Sequence, residues 1–486
     1  MTLNSTGAAQ QLIHVEAGMK VRDLCAILDS KNLALNTMGG SDGQSIVGIL
    51  STCVHGPDFD RGPVPDMVRA VHLVGPGAVQ HWIEPAIGIT DPAALRSVLR
   101  GGVAIHYDDV LFNAVITSVG TLGLVYSVVL AVQAQYDLVQ LVVSQPWEIV
   151  REQLSTDELF KPPNRCVQVV VEPVPPHDCF IYTRATAPAT RAAPYDITND
   201  PLGLFCTTAL ADAIICIAGG ATAFLGAAAA FIPVLPFPLD VVYGALLTVG
   251  TVTALEVAPL VGAIRLLGPG ALGDVVGSVL NGDPKLAASA VSFVTASSVP
   301  LGTRRGWAHT IMSGPDPGEC VARGLALEMA FDATDGSHLS FMDEVLPLLD
   351  QWLSDEGLVL SGWFSLRFVG KSRAYLAPEN RTDRTCRAEL VGLRTMESTA
   401  PLLNRIEAVG RKHGSIQHWG MFRNLTREDV VRGYPHLNAW RRARWQLTQQ
   451  GKLRTFDNEF SIRVGLSDPP SSDISYVVPV LLSDGA

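Results

Sequence analysis

Between Gln11 and Ala17 apolar and polar positions alternate, with Ile13, Val15 and Ala17 on one side and Leu12, His14 and Glu16 on the other. A two-residue period predicts a half-buried strand. Gly18 ends it, and Val21, Leu24, Cys25 and Leu28 then recur at the spacing of an amphipathic helix over 20–30. The glycines of Met38-Gly39-Gly40-Ser41-Asp42-Gly43 predict a loop, and Gln44 to Ser51 a short helix. Met67 to Val74 reads as a strand, Gly75-Pro76-Gly77 as a turn and Val79 to Ile83 as the returning strand. Asp108 and Asp109 read as N-terminal caps of a helix, and a glycine-punctuated turn leads into an apolar strand, Leu124 to Val132.

Beyond about residue 135 the pattern changes. Short β-like runs, Val139 to Val143 and Cys166 to Val171, alternate with proline-rich connections, and an apolar, helix-like block fills roughly 203–282. Strand patterns return at Leu325 to Phe331, Gly362 to Val369 and Ala388 to Leu393. Thr426 and Asp429 have the spacing of a capping box, with a helix following through Leu437, Trp440 and Leu447. These shifts divide the chain into 1–135, 136–400 and 401–486.

Composition narrows the function. At 486 residues, 48% hydrophobic and 17% charged, the chain is globular rather than disordered. A net charge of −11 without a long basic run excludes nucleic acid as a partner. The cluster Arg441, Arg442 and Arg444 reads as a solvated helix face. None of the eight cysteines forms a CxxC pair, so no metal site is readable. The first residues lack a basic, apolar leader pattern, which reads as cytoplasmic. From Ala213 to Leu239 there is no charged residue, a length that could span a bilayer. Its alanine and glycine content, and the breaks at Pro233, Pro236 and Pro238, favour buried or membrane-surface-docking helices over a span.

Three segments carry candidate chemistry. Val15 to Gly56 runs from a strand ending in Ala17-Gly18, through a helix and glycine-rich loop, to Ser51-Thr52-Cys53-Val54-His55-Gly56. The second is Ser118-Val119-Gly120-Thr121-Leu122-Gly123-Leu124-Val125, and the third comprises His418-Trp419-Gly420, Tyr434-Pro435 and Phe456-Asp457-Asn458-Glu459-Phe460. In this order they resemble the vanillyl-alcohol-oxidase family of FAD-linked oxidases, on the aldonolactone (D-arabinono-1,4-lactone) and alditol oxidase branch. The resemblance implies an α+β fold: a two-part FAD-binding domain of PCMH type, here without its first subdomain, and a mixed α/β cap domain with an apolar helical insertion. The C-terminal segment would return to the flavin face.

The resemblance also implies flavin contacts from Gly39, Gly40, Ser41, Gly43, Gln44, Ser45 and Gly48, from Ser51, Thr52, His55 and Gly56, from Ser118, Gly120, Gly123 and Val125, and from Asn458. Glycines suit a pyrophosphate and a flat ring because both need close backbone approach. No residue precedes Val15 that could fill the family's covalent-histidine position, so FAD would be held non-covalently. Cys53 reads as a small buried residue rather than a thioether.

The branch carries Glu-x-Arg on a cap strand and a Lys after HWG. Here those positions read Ser365, Arg367 and Met421. The implied catalytic groups are then Arg367, as the cation beside the flavin or a substrate oxyanion, and His418, as the base. The expected activity is oxidation of an alcohol or lactol-type carbon in a small hydrophobic molecule, with oxygen or another acceptor. A flavin-free scaffold or cyclase of the same fold, or a truncated relative, stands as the alternative.

Overall fold

The computed structural model describes residues 3–99, 102–190, 277, 280–299, 301–313, 323–422 and 424–471. The chain builds two sheets, one from residues 11–134 and one from 136–417. The first takes β1 (Gln11–Glu16), β2 (Leu33–Ala34), β3 (Val68–Val74), β4 (Gln80–Glu84), β5 (Val103–Tyr107) and β6 (Leu124–Ala134) in the order β1-β6-β3-β4-β5, with β2 on the end of β6. All pairings are antiparallel except β4 with β5. The predicted elements of this region are present: the helix Val21–Asp29 buries Val21, Leu24, Cys25 and Leu28, and Asp108 caps the helix Asp109–Val115.

A single residue, Gln135, separates β6 from β7 (Tyr136–Pro146), which opens the second sheet. That sheet adds β8 (Asn164–Val171), β9 (Asp178–Pro188), β10 (Gly302–Trp307), β11 (Gly324–Asp332), β12 (Phe364–Gly370), β13 (Arg384–Leu393) and β14 (Ile416–Gln417), in the order β10-β7-β9-β8-β12-β13-β11-β14. Its two faces differ. Val167, Val169, Leu327, Met329, Phe364, Leu366 and Phe368 point one way and pack against the helices Trp147–Ser155, Ser337–Glu356 and Thr399–Lys412. Because side chains alternate along a strand, Gln168, Ser365, Arg367, Arg387, Glu389 and Glu328 fall on the opposite face. One face is therefore structural and the other carries the polar chemistry.

The C-terminal segment folds back onto the first sheet. Trp419, Tyr434, Leu437, Trp440 and Leu447 share one core cluster with Val15, Leu24, Ile49 and Leu122. The capping box Thr426–Asp429 forms as read. Two helices follow it, Arg427–Gly433 and Leu437–Leu447. The break falls at Tyr434, where the following Pro435 disfavours helical backbone.

The arginine cluster is a correction. Arg444 is buried and ion-paired to Asp457, and Arg441 bonds Gly465 O and Asp468, so only part of this helix face is solvated. The block 203–282 lies outside the described residues except Gly277, Leu280, Asn281 and Gly282, as does all of 213–239. Among the described residues no helix is long and apolar enough to cross a membrane.

Candidate active site

The two sheets meet along the segment that follows His55. Val167 N donates to Pro57 O at 3.0 Å, and Gly370 N to Arg61 O at 2.8 Å, fastening the loop to β8 and β12. Gly56 is where the chain must be thinnest. A Cβ there would lie 2.6 Å from both Asp58 Oδ2 and Thr37 Oγ1, below any normal contact. The seam thus holds His55 against the polar face of the second sheet.

On that face lies a network of alternating charge. Glu328, on β11, accepts from His55 Nε2 at 3.1 Å, Arg367 Nη2 at 2.9 Å and Arg387 Nη1 at 3.1 Å. Arg367 also pairs with Glu389. Arg387 donates Nε to Glu379 at 2.7 Å, and Glu379 accepts from the Cys53 thiol at 3.6 Å. Burial would push the Glu328 carboxyl up, but His55 and Arg387 outweigh it and hold it well below the usual carboxylate range. His55 Nδ1 meets Gly56 O at 2.9 Å. Arg367 lies between Glu328 and Glu389, and Arg387 between Glu328 and Glu379, which is how these charges stay out of water.

His418 sits beside this network. Its backbone N–H donates to Glu328 O at 2.9 Å, and its Nδ1 accepts from Gly420 N at 3.0 Å. Burial, with Arg387 and other cations adding to it against Glu328, lowers its pKa to about 3. The ring is therefore neutral near pH 7, and the Gly420 bond leaves its hydrogen on Nε2. In this arrangement His418 is a hydrogen-bond donor, because its lone-pair nitrogen is already taken.

The three segments singled out in the sequence converge. A Cβ on Gly40 would lie 3.9 Å from Arg367 Nη1, so the glycine loop reaches the cap cation. A Cβ on Gly420 would lie 3.3 Å from Thr52 Cγ2, joining the HWG segment to the STCVHG segment. Val119 N donates to Ser51 O at 3.0 Å, bringing in the third, and Thr121 Oγ1 closes that loop onto Ser118 O at 2.8 Å. Gly120, at φ +69°, has open space where a side chain would start, whereas Gly123 packs against Val74 O.

Other predicted positions make bonds within the protein. Gln44 O accepts from Val21 N, and Ser45 caps the helix Ile46–Ser51 by accepting from Gly48 N at 3.2 Å. Gly43 lies in the same stretch of loop, and Val125 pairs with Leu73. Asn458 Oδ1 is spent on Ser461 N at 2.9 Å, capping the helix Glu459–Arg463. Its neighbour Phe460 meets Trp419 edge-on at 6.3 Å, and Trp419 stacks on Tyr434 at 4.9 Å. Through Phe460, the helix that Asn458 caps meets the HWG and YP segments. Cys53 is a fully buried thiol, raised well above its usual range by burial and then by Glu379, and is chemically quiet.

Sequence reasoning missed Glu328, Glu379, Arg387 and Glu389. One signal was available: Glu328 interrupts the apolar strand run Leu325-Ala326-Leu327-Glu328-Met329-Ala330-Phe331, and a carboxylate inside such a run needs a buried partner.

No protein-family model matches the sequence. Among solved structures, the chain is similar to cholesterol oxidase from B. sterolicum, with a TM-score of 0.60 at 12% identity over 95% of this chain and 82% of that one. A histidine-to-alanine mutant of cholesterol oxidase from Brevibacterium sterolicum gives 0.59 at 12% identity over 95% and 82%. A solvent-stable cholesterol oxidase gives 0.58 at 12% identity over 96% and 83%. The two-sheet α+β chain shares the fold of these oxidases.

Proposed function

We propose that the chain is an FAD-dependent oxidoreductase that oxidises an alcohol or lactol-type carbon of a hydrophobic small molecule. The observation that carries this is the approach of the Gly40 backbone to Arg367, where a glycine loop and a buried-side cation meet. A flat cofactor ring needs close backbone approach along one edge and a positive group near the edge that gains charge. Ser41 Oγ adds a buried hydroxyl without a hydrogen-bond partner, a group left for a ligand. These residues fit the flavin implied by the sequence resemblance, and the shared fold with oxidases supports the same class.

Bound there, FAD would supply the acceptor for a hydride leaving the substrate carbon. Gly39, Gly40 and Ser41 would approach it from the loop, with Thr52, Gly420 and Gly120 from the adjoining segments. Arg367 is held in place by Glu328 and Glu389 and presents positive charge at the seam. Among the carboxylates of the network, Glu389 is the one with appreciable exposure, at 22%, and we assign it the hydroxyl proton of the substrate. His418, neutral and carrying Nε2–H, orients the substrate oxygen by donation. The aldonolactone branch is the finer reading of the same resemblance, and replacement of its Glu and Lys positions by Ser365 and Met421 favours a less polar substrate than a sugar lactone.

The visible spectrum of the purified protein, before and after acid precipitation, tests this. Flavin absorbance released to the supernatant is the expected result. A colourless protein that fails to take up added FAD overturns the assignment and leaves a flavin-free scaffold of the same fold.

A further inference from the structure

Arg184 lies on the polar face of the second sheet, two strands from Arg367. Gln168 pairs in register with Arg367 on one side and with Tyr182 on the other, and Arg184 follows two residues along the same face of β9. Strand spacing sets the two guanidinium groups on the order of 10 Å apart. Arg184 is 6% exposed. Its polar contacts are neutral: Nε donates to Gln140 Oε1 at 2.9 Å, and Nη2 reaches Gln168 Oε1 at 3.5 Å. Its third nitrogen, Nη1, is buried without a hydrogen-bond partner.

A buried guanidinium ordinarily sits against a carboxylate, as Arg387 does with Glu379. Asp58 is the carboxylate whose field reaches Arg184, and it is already held by Arg165 at 2.6 Å, Thr37 at 2.6 Å and Cys166 at 3.1 Å. Burial pushes Arg184 below the usual guanidinium range, and Arg367 adds to the effect. The Tyr182 ring, 5.7 Å from the guanidinium carbon, and the Asp58 field offset part of that cost, but among the described residues no carboxylate contacts the group. Beside it, Val142, Val170, Phe180 and Tyr182 form an apolar cluster on the same face. Gln168 joins the two regions by donating its amide to Ser365 Oγ at 3.0 Å.

We infer that Arg184, flanked by the Gln140 and Gln168 amides, is an anion subsite that takes the carboxylate of a ligand whose remaining body is apolar. That this ligand is the substrate rests on the oxidoreductase reading above; the anion subsite itself does not. A guanidinium with a free nitrogen between two amides matches the planar, two-oxygen geometry of a carboxylate. The apolar cluster explains why the rest of the ligand would be hydrocarbon rather than sugar.

The test is calorimetric titration of the full-length protein with octanoate and, separately, with octanamide. Octanoate is expected to bind at least tenfold more tightly. Arg184→Met is expected to abolish that preference while leaving octanamide binding unchanged, and to raise the melting temperature of the unliganded protein by removing a buried charge that no carboxylate contacts. Arg184→Lys keeps the charge without the fork, and is expected to weaken octanoate about tenfold. Equal affinity of the wild type for the two ligands overturns the inference. So does octanoate binding that survives in either variant at wild-type strength, or a melting temperature lowered in Arg184→Met with ligand preference intact, which would mark a structural arginine. None of these readouts depends on flavin, so a colourless protein that still prefers octanoate would sink the oxidoreductase reading and spare the subsite.

Discussion

Ser365 and Glu389 face each other across β12 and β13, and Glu389 pairs with Arg367 two residues along from Ser365. Arg367 thus takes its carboxylate from the neighbouring strand rather than from its own. If this geometry is what matters, the two positions can be exchanged. Ser365→Glu alone puts two carboxylates directly opposite one another, which destabilises a cross-strand pair. Its melting temperature should fall. The double variant Ser365→Glu/Glu389→Ser should recover most of that loss. A double variant as unstable as Ser365→Glu alone would mean that the two sites do not communicate.

Glu328 joins two arginines and His55, whereas Glu389 joins one arginine and is partly exposed. Glu328→Gln leaves the buried Arg387 undercompensated and removes the carboxylate acceptor of His55. Removing one member of a buried ion network costs about 3–5 kcal/mol. Denaturant unfolding should show a loss of that order for Glu328→Gln and a loss under about 1 kcal/mol for Glu389→Gln. Equal losses would show that the charges act as separate pairs rather than through Glu328.

The local elements were legible because their signals are local. Val21, Leu24, Cys25 and Leu28 announce a helix by period, and Thr426 with Asp429 announces its own cap. The convergence of Gly40, Thr52, Gly420 and Ser51 could be anticipated only because a family pattern had already ordered those segments. The charge network was not legible. Glu328, Arg387 and Arg367 meet through the β11–β13–β12 registers, and sequence spacing does not encode strand register at that range. Arg444 was misread for a related reason. Its helix face looks solvated until Asp457 folds back against it.

The seam makes a separate demand at Gly56. Its φ is ordinary, so the constraint is space alone, with Asp58 Oδ2, Thr37 Oγ1 and Met38 O all within 2.8 Å of an added Cβ. Asp58 cannot swing away without breaking its pair with Arg165. Gly56→Ala should cost about 1–3 kcal/mol, as overpacking does. By contrast, Gly48→Ala meets only Ser45 Oγ at 2.9 Å, which can turn away at the loss of its cap bond to Gly48 N, so the cost should not exceed that of a lost N-cap, about 1 kcal/mol, part of it recovered by alanine's helix propensity. The two melting curves, read side by side, separate a seam constraint from general intolerance of alanine.

Acid should unfold the protein through its buried histidines as well as its carboxylates. His338 is lowered to about 4 by burial, with Arg384 adding to it, and His81 to about 4 by burial and then His106. His418 lies at about 3. A histidine with a depressed folded pKa binds its proton more tightly when unfolded. The stability it contributes is present above its unfolded pKa near 6.5, and is lost as pH falls from there toward 4. For the deeply buried His338 the difference amounts to on the order of 3 kcal/mol. The melting temperature should therefore decline steadily between pH 6.5 and 4. His338→Leu keeps an apolar filling beside Phe368 and Leu339 and carries no proton, so it should decline less over that interval. A variant whose curve runs parallel to the wild type throughout would remove His338 from the account and place the acid sensitivity on the remaining groups.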